Sequence, residues 1–443
     1  MRKYFGTDGV RGTANKGVMT ADNALQLGLA AGTFFTRGNH RHRVIIGKDT
    51  RLSGYLFETA ITSGFIAAGM DVFLVGPMPT PAIAMLVKSM RADLGVMISA
   101  SHNPYYDNGL KLFGPDGHKL SDETEKQIEQ IMGNPEAIRL AESENLGKAI
   151  RIDDAPGRYI EFVKNSFPKG WSLEGFKIVV DCANGAAYHL GAKIFWELGA
   201  EVIEIGVNPN GVNINLDCGS NHLEKLSAAV IEHKACLGIA LDGDADRLQM
   251  VDEKGQAIDG DRILALIACY LKKHSKLNNN KIVATFMSNL AFENYLNSQK
   301  IEVIRTQVGD RYVVAKMREL GLSLGGEQSG HIVVSDYSTT GDGLIAALQM
   351  LALIQEQKKP ASVVADIFEA FPQILRNVPV KDPLVMEEAK FKLVLKNAEL
   401  KIEKKGRLLV RKSGTENLIR IMCESNDVDL MHQILNQIEE ALL

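Results

Sequence analysis

Three times along the chain an apolar run of strand length is followed by a helix-period stretch, a second apolar run, and a third that stops in a polar loop. This internal repeat limits the fold more than any other feature, because each copy is one supersecondary unit whose apolar face must be buried. In the first copy Arg43-Val44-Ile45-Ile46-Gly47 is a strand, an apolar-periodic helix runs to Gly69, Val72-Phe73-Leu74-Val75-Gly76 is the next strand, and Leu94 to Ser101 completes the unit. The second copy runs through Lys177-Ile178-Val179-Val180-Asp181, a helix to Gly199, Val202-Ile203-Glu204-Ile205-Gly206 and Leu237-Gly238-Ile239-Ala240-Leu241. The third has Lys281-Ile282-Val283-Ala284-Thr285, Val303-Ile304-Arg305-Thr306 and Leu322-Ser323-Leu324-Gly325. Each copy is predicted to be an α/β layer of short apolar strands and amphipathic helices.

At 443 residues the chain is too long for one hydrophobic core, so several domains are expected. The predicted fold class is α/β: three similar α/β domains at 1–152, 153–254 and 255–375, whose end loops converge on one central cleft, and a smaller C-terminal α+β domain at 376–443. A long apolar helix follows Asp342-Gly343 and passes Leu351 and Ile354 to stop at Lys358-Lys359-Pro360, and a further helix is predicted over Ala361 to Ala370. A composition shift at Asn377 to Pro383 reads as a linker. Beyond it lie strands at Arg407-Leu408-Leu409-Val410 and Leu418-Ile419-Arg420-Ile421-Met422, then a helix with Leu430, Ile434, Ile438 and Leu442 on one stripe.

A formal net charge of −4 offers no basic footprint for nucleic acid and no polybasic patch for a membrane surface. Five scattered cysteines form no C-x-x-C pair, which argues against both a disulfide framework and a cysteine zinc site. Met1-Arg2-Lys3 runs directly into Gly6-Thr7-Asp8-Gly9, and no apolar run approaches bilayer length. The expectation is a cytoplasmic enzyme, monomer or homodimer, with no nucleic-acid and no membrane partner.

The polar loops that end the repeats carry the chemistry, since ligand loops collect at strand C-terminal ends in α/β sheets. The first is Ser99-Ala100-Ser101-His102-Asn103-Pro104, where Pro104 stiffens a turn that holds the Ser101 hydroxyl outward. Ser-His-Asn-Pro is also ordinary turn composition, but Asn108-Gly109-Leu110-Lys111 returns an ammonium toward the same turn. The second is Asp242-Gly243-Asp244-Ala245-Asp246-Arg247, whose alternating carboxylates fall on one side of an extended loop. Three converging carboxylates repel unless a cation joins them, and Mg²⁺ suits carboxylate and phosphate oxygens. A solvated acidic turn and an aspartyl nucleophile of the haloacid-dehalogenase type are the alternatives, and the latter leaves Ser101 without a role. The third is Gly326-Glu327-Gln328-Ser329-Gly330-His331, an alternating set of Glu327, Ser329 and His331 suited to sugar hydroxyls. Asp310, in Val308-Gly309-Asp310-Arg311, offers a further acid to the same ligand. Near the N-terminus the glycine loop Gly6 to Gly12 carries Arg11, and near the C-terminus Arg411-Lys412-Ser413-Gly414-Thr415-Glu416-Asn417, followed by Arg420, has the donors a phosphate monoester requires. No G-x-x-x-x-G-K-[ST] occurs, so this is not a P-loop.

These four loops, in this order, are the motifs by which the chain resembles the α-D-phosphohexomutase superfamily over essentially its full length. The resemblance is strongest to the branch acting on glucosamine phosphates, which Gln328 favours. It implies that Ser101 carries a phosphoryl group and that one Mg²⁺ per subunit is held by that phosphate with Asp242, Asp244 and Asp246. It implies further that Glu327, Ser329 and His331 bind the sugar and that Arg411, Ser413, Gly414, Thr415 and Arg420 hold the non-reacting phosphate. Arg247 would neutralise the moving phosphoryl, Lys111 or His331 would manage the hydroxyl proton, and His102 and Arg11 complete the catalytic candidates. The implied reaction interconverts glucosamine 6-phosphate and glucosamine 1-phosphate through a 1,6-bisphosphate, with glucose 1,6-bisphosphate or glucosamine 1,6-bisphosphate as activator. A glucose or mannose phosphate mutase of the same superfamily, a Mg²⁺-dependent sugar phosphatase and a silent sugar-phosphate binder are the other readings.

Overall fold

Strand Arg43–Lys48 is buried at every residue but its first, as a β-rich run covered on both faces must be. It pairs in parallel with Asp71–Pro77 on one side and Leu94–Ile98 on the other. The same three-strand parallel core recurs around Lys177–Asp181, between Glu201–Ile205 and Leu237–Leu241, and around Lys281–Thr285, between Glu302–Thr306 and Leu324–Gly326. These are the nine strands of the predicted repeat, each within two residues at its start.

The computed structural model describes residues 3–6, 8–380, 382–403, 405–412 and 418–442. It divides into two units, Met1–Met287 with Ile301–Asp366, and Ser288–Lys300 with Ile367–Leu443. The first unit holds the sheets of the three repeats, of six, five and four strands. In each, the strand that ends in a polar loop turns back at once: Leu94–Ile98 pairs antiparallel with Asp107–Phe113, Leu237–Leu241 with Leu248–Asp252, and Leu324–Gly326 with Ile332–Val334. Each polar loop is therefore a hairpin connection at the C-terminal end of a parallel strand. The return strands were not part of the predicted units, because their alternation is interrupted by functional polar residues such as Asn108 and Lys111.

Two helices packed on the first sheet, Ala21–Phe35 and Ser53–Ala67, meet backbone to backbone at Gly28 and Gly64. A Cβ on Gly64 would lie 2.5 Å from the Leu25 carbonyl oxygen, so the close approach requires glycine there.

The second unit is built on an antiparallel sheet in which Leu418–Ser425 lies between Gln373–Pro379 and Gly406–Lys412. Helices Ala389–Ile402 and Val428–Leu442 cover it. The stripe of the last helix buries Ile434, Ile438 and Leu442 as predicted, with Met431 and Leu435 beside them and Leu430 only half-buried.

Two expectations are corrected here. The helix over Ala361 to Ala370 stops at Val364, and Pro372 ahead disfavours helix at the residue before it. The linker at Asn377 to Pro383 is in its first part an edge strand, Gln373–Pro379, where Val378 enters the core and Pro379 costs no ladder bond at a strand end. Among the described residues no helix is long and apolar enough to cross a membrane.

Candidate active site

Ser101 follows the strand Leu94–Ile98 with a left-handed backbone, φ +53°, a conformation that costs a non-glycine residue on the order of 1–3 kcal/mol. The surrounding polar lattice holds it there. Arg51, fully buried, donates from Nη2 to the carbonyl oxygens of Ser101 and Asn103, both at 2.8 Å, and from Nη1 to those of Pro104 and Asp107. Its Nε donates to Asp49 Oδ2 at 2.8 Å, so all five guanidinium hydrogens are used. Asp49 also accepts from the Ser99 hydroxyl at 2.7 Å, and Ser99 Oγ accepts the Ser101 backbone N–H at 2.9 Å. From the second repeat, Asn215 Nδ2 donates to the Ser101 and Asn103 carbonyls at 2.9 and 3.0 Å. Burial pushes the Asp49 pKa up, and Arg51 and Ser99 only partly offset it.

Asp49, Arg51 and Asn215 escaped the sequence reading. A signal existed for the first two, since Asp49-Thr50-Arg51 directly follows the central strand at its C-terminal end. Arg11 works on the same loop, its Nη2 donating to the Ala100 carbonyl and to Asn103 Oδ1.

The three aspartates converge: one carboxylate oxygen each from Asp242, Asp244 and Asp246 lies within 4.8 Å of the others, and all three residues are buried. The route differs from the expected extended loop. The Ala245 N–H donates to the Asp242 carbonyl across a turn, and Ala245 takes φ +56°, so a tight bend rather than strand alternation brings the carboxylates together. Gly243 lets the two loops touch, since a Cβ there would lie 2.6 Å from the Ser101 carbonyl oxygen. The Ser101 hydroxyl donates to Asp242 Oδ2 at 2.5 Å.

Lys111 arrives on the return strand opposite Met97 and places Nζ 2.7 Å from Asp244 Oδ2 and 3.4 Å from Asp246 Oδ2 and Asp8 Oδ2. Thr80 Oγ1 adds a bond to Asp244 Oδ2 at 2.5 Å. Asp244 Oδ1 and Asp246 Oδ1 are buried with no hydrogen-bond partner among the described residues. Burial, then Asp246 and Asp244, push the Asp242 pKa well up. Burial opposes ionisation of Asp246 too, but Lys111 and His331 outweigh it and hold that pKa well down. A buried oxygen-only donor set, with Asp244 Oδ1 unpartnered and Asp246 Oδ1 faced only by His331 Nδ1 at 3.6 Å among the described residues, fits a hard divalent cation.

The third loop joins the same cluster. Gly330, at φ +90°, would place a Cβ 2.0 Å from the Leu248 carbonyl oxygen, and the Leu248 N–H donates to the Gly330 carbonyl at 3.0 Å. His331 is buried, with Nδ1 3.6 Å from Asp246 Oδ1 and Nε2 3.5 Å from Asp310 Oδ2. Nε2 also accepts the Gly341 N–H at 3.1 Å. Burial acts against charge on His331, yet Asp246 and Asp310 raise its pKa. Glu327 Oε1 accepts the Gly309 N–H at 2.9 Å, and the Ser329 hydroxyl lies 3.4 Å from Oε2. These residues sit on a hairpin closed by the Gly330 N–H to the Glu327 carbonyl, not on an extended face. Lys119, unforeseen in sequence, bridges Asp8 and Asp310 by ion pairs.

Arg247 pairs by a backbone bridge with His331, and its N–H donates to Asp242 Oδ1 at 3.2 Å. Burial works against its charge, while Asp242 and Asp246 raise its pKa. His102 Nδ1 is 3.5 Å from Ser101 Oγ, and burial, Arg247 and Arg11 lower its pKa to about 4, which leaves it neutral near pH 7. In the second unit Arg411 and Arg420 stand opposite one another on paired strands. Ser413, Gly414 and Thr415 lie outside the described residues.

Known proteins match this chain along its whole length. Residues 2–139, 157–255 and 259–371 match the phosphoglucomutase/phosphomannomutase alpha/beta/alpha domains I, II and III, and residues 375–441 match the C-terminal domain of that family. A phosphoglucosamine mutase of Parvibaculum lavamentivorans is 58% identical over 441 residues, covering 100% of this chain and 98% of the relative. One from Mesorhizobium japonicum is 56% identical over 439 residues, covering 99% and 98%. In fold, a phosphoglucomutase/phosphomannomutase family protein of Burkholderia thailandensis superposes with a TM-score of 0.83 at 24% identity, covering 99% of this chain and 97% of that one. Aspergillus fumigatus N-acetylphosphoglucosamine mutase, in complex with GlcNAc-6P and magnesium, superposes with a TM-score of 0.68 at 17% identity, covering 99% and 96%. With all four domains matched in order and relatives this similar from end to end, the chain belongs to the phosphoglucomutase/phosphomannomutase family, in the branch of the phosphoglucosamine mutases.

Proposed function

We propose that this chain interconverts glucosamine 6-phosphate and glucosamine 1-phosphate, with Ser101 as the phosphoryl carrier. The observation that carries the reading is the Ser101 hydroxyl lying 2.5 Å from Asp242 inside a buried trio of carboxylates. In the forward half-reaction the bond from Ser101 Oγ to phosphorus breaks as a sugar hydroxyl oxygen bonds to that phosphorus. The hydroxyl proton passes to a base, and a 1,6-bisphosphate results. After the bisphosphate turns over, its other phosphoryl returns to Ser101 Oγ and the proton goes back to the freed sugar oxygen. Priming by glucose 1,6-bisphosphate or glucosamine 1,6-bisphosphate would supply the first phosphoryl. The four-domain division at 1–152, 153–254, 255–375 and 376–443 and a cytoplasmic setting belong to the same reading.

Asp242, Asp244 and Asp246, with a phosphoryl oxygen on Ser101, would hold one Mg²⁺. When bound it supplies positive charge against the phosphoryl oxygens. Lys111 adds fixed charge rather than proton transfer. Burial works against its ammonium, but Asp244, Asp8 and Asp246 hold its pKa well above the ordinary lysine value. His331 therefore takes the proton role, and Arg247 supplies a further cation for the transferring group. On the sugar, Glu327 is the acceptor for a 2-ammonium group, because the Asp310 carboxylate is already paired with Lys119. Ser329 offers its hydroxyl beside it. Arg411, Ser413, Gly414, Thr415 and Arg420 would hold the distant phosphate, and His102 and Arg11 would support the serine loop.

Comparison of kcat/KM for glucosamine 1-phosphate, glucose 1-phosphate and mannose 1-phosphate, each with its own bisphosphate, tests the assignment. Glucosamine phosphate is expected to lead by roughly tenfold or more, the worth of one charge-assisted contact. Equal or higher values for glucose or mannose phosphate would overturn the sugar assignment.

The metal reading has its own test. Asp244→Asn is expected to raise the Mg²⁺ concentration for half-maximal turnover by about tenfold or more and to lower kcat as well. A Mg²⁺ titration superimposable on that of the wild type would remove Asp244 from the metal site.

A further inference from the structure

At the opposite end of the same parallel strands, His40, His42 and Asp93 bring two imidazoles and a carboxylate together, with one ligand atom from each within 4.8 Å of the others. His40 Nε2 is 2.8 Å and His42 Nδ1 is 3.4 Å from the same oxygen, Asp93 Oδ1. His42 is buried, its side chain 4% exposed; its Nδ1 has only the 3.4 Å approach to Asp93, without hydrogen-bond geometry, and its Nε2 has no hydrogen-bond partner among the described residues. A buried imidazole nitrogen this poorly paired is costly, and a cation between Nδ1 and the carboxylate would satisfy that nitrogen. The neighbouring cations are occupied elsewhere. Arg41 is paired with Asp71 at 2.7 Å, and the Arg43 guanidinium lies over the Phe73 ring.

We propose that His40, His42 and Asp93 form a second metal site, for a borderline divalent transition ion of the Zn²⁺ type. Two imidazole nitrogens and one carboxylate oxygen suit such an ion and do not suit Mg²⁺, which prefers oxygen. At bonds of about 2.0–2.1 Å, tetrahedral ligand atoms stand roughly 3.4 Å apart. The His42–Asp93 separation of 3.4 Å already meets this, and the exposed His40 ring has room to open by the remainder. The outer oxygen, Asp93 Oδ2, accepts the Arg43 N–H at 2.8 Å and so orients the carboxylate, as metal-ligating carboxylates usually are. A fourth position on the solvent side, next to the half-exposed His40, is left for water.

This site is distinct from the aspartate trio. Asp93 precedes the strand Leu94–Ile98 and Ser101 follows it, so roughly 17 Å of strand at about 3.3 Å per residue separates the two. A metal here would clip the chain entering the central strand Arg43–Lys48 to the chain entering the strand that delivers Ser101.

The test is zinc titration of the full-length protein in saturating Mg²⁺, with Co²⁺ as a spectroscopic probe of nitrogen ligation. Wild type is expected to bind one more Zn²⁺ equivalent than His40→Ala or Asp93→Asn, or to bind it at least about tenfold more tightly. His40→Ala alters only an exposed ring, so it folds even if a His42 variant does not. The Co²⁺ ligand-field band and the Zn²⁺-dependent rise in Tm are expected to be larger in wild type than in His40→Ala at the same metal concentration. Any Zn²⁺ taken up by the aspartate trio is common to both proteins and cancels in the comparison. Identical stoichiometry and affinity in wild type and His40→Ala would overturn the proposal, whatever the outcome for sugar turnover.

Discussion

Ser101→Ala is expected to abolish both the mass increment of one phosphoryl group on the intact protein and the turnover of sugar phosphate, with kcat falling on the order of 10⁴-fold or more. The expectation rests on geometry around one atom. Ser101 Oγ is buried, sits 2.5 Å from Asp242, and belongs to a loop held by Arg51, Asn215 and Arg11. The neighbouring hydroxyls are committed elsewhere, Ser99 Oγ to Asp49 and to the Ser101 backbone N–H, and Thr80 Oγ1 to Asp244. Alanine removes the nucleophile while leaving the carbonyl contacts of the loop in place, so the Tm should stay near that of the wild type. Retained phosphoryl mass on the alanine protein, or turnover within tenfold of wild type, would end the assignment of Ser101 as carrier.

Arg51→Ala should be nearly as damaging to turnover and far more damaging to stability. Removing the guanidinium strips partners from Asp49 and from the carbonyls of Ser101, Asn103, Pro104 and Asp107. Breaking a buried ion pair of this kind costs about 3–5 kcal/mol, against a total stability of roughly 5–15 kcal/mol for a folded domain. Asp49, whose pKa burial already pushes up with Arg51 beside it, would then be driven further toward its neutral form. Arg51→Lys is the informative companion. It keeps the charge, but one ammonium with three donors cannot serve a carboxylate and four carbonyls. The lysine protein is expected to recover part of the Tm and little of kcat, with KM for sugar phosphate nearly unchanged, because Arg51 acts through the serine loop. If Arg51→Lys restored kcat fully, the five-donor clamp would not be what positions Ser101.

The nine repeat strands, their order and the loops that end them were legible in the amino-acid sequence, because runs such as Val44-Ile45-Ile46 and Leu237 to Leu241 record burial locally, residue by residue. The candidate residues Ser101, Asp242, Asp244, Asp246 and His331 were legible for a related reason: strand ends are where a sheet presents chemistry, and polar residues there stand out against apolar neighbours. Which strand pairs with which, and what crosses from one repeat to another, is written in no local pattern. The reach of Lys111 to Asp244 and the bridging of Asp8 to Asp310 through Lys119 depend on partners far away in sequence. The linker expected from Asn377 failed on the same ground, since the pairing of Gln373–Pro379 with Leu418–Ser425 overrode the local composition. The sequence by itself therefore determined the layers of this protein and the chemical groups at their edges. Tertiary structure alone decided that a buried Arg51 holds the serine turn in a left-handed conformation and that Asp242 receives its hydroxyl, because the first contact forms only when separate strand ends of one repeat pack together, the second only when two repeats do, and both exclude water.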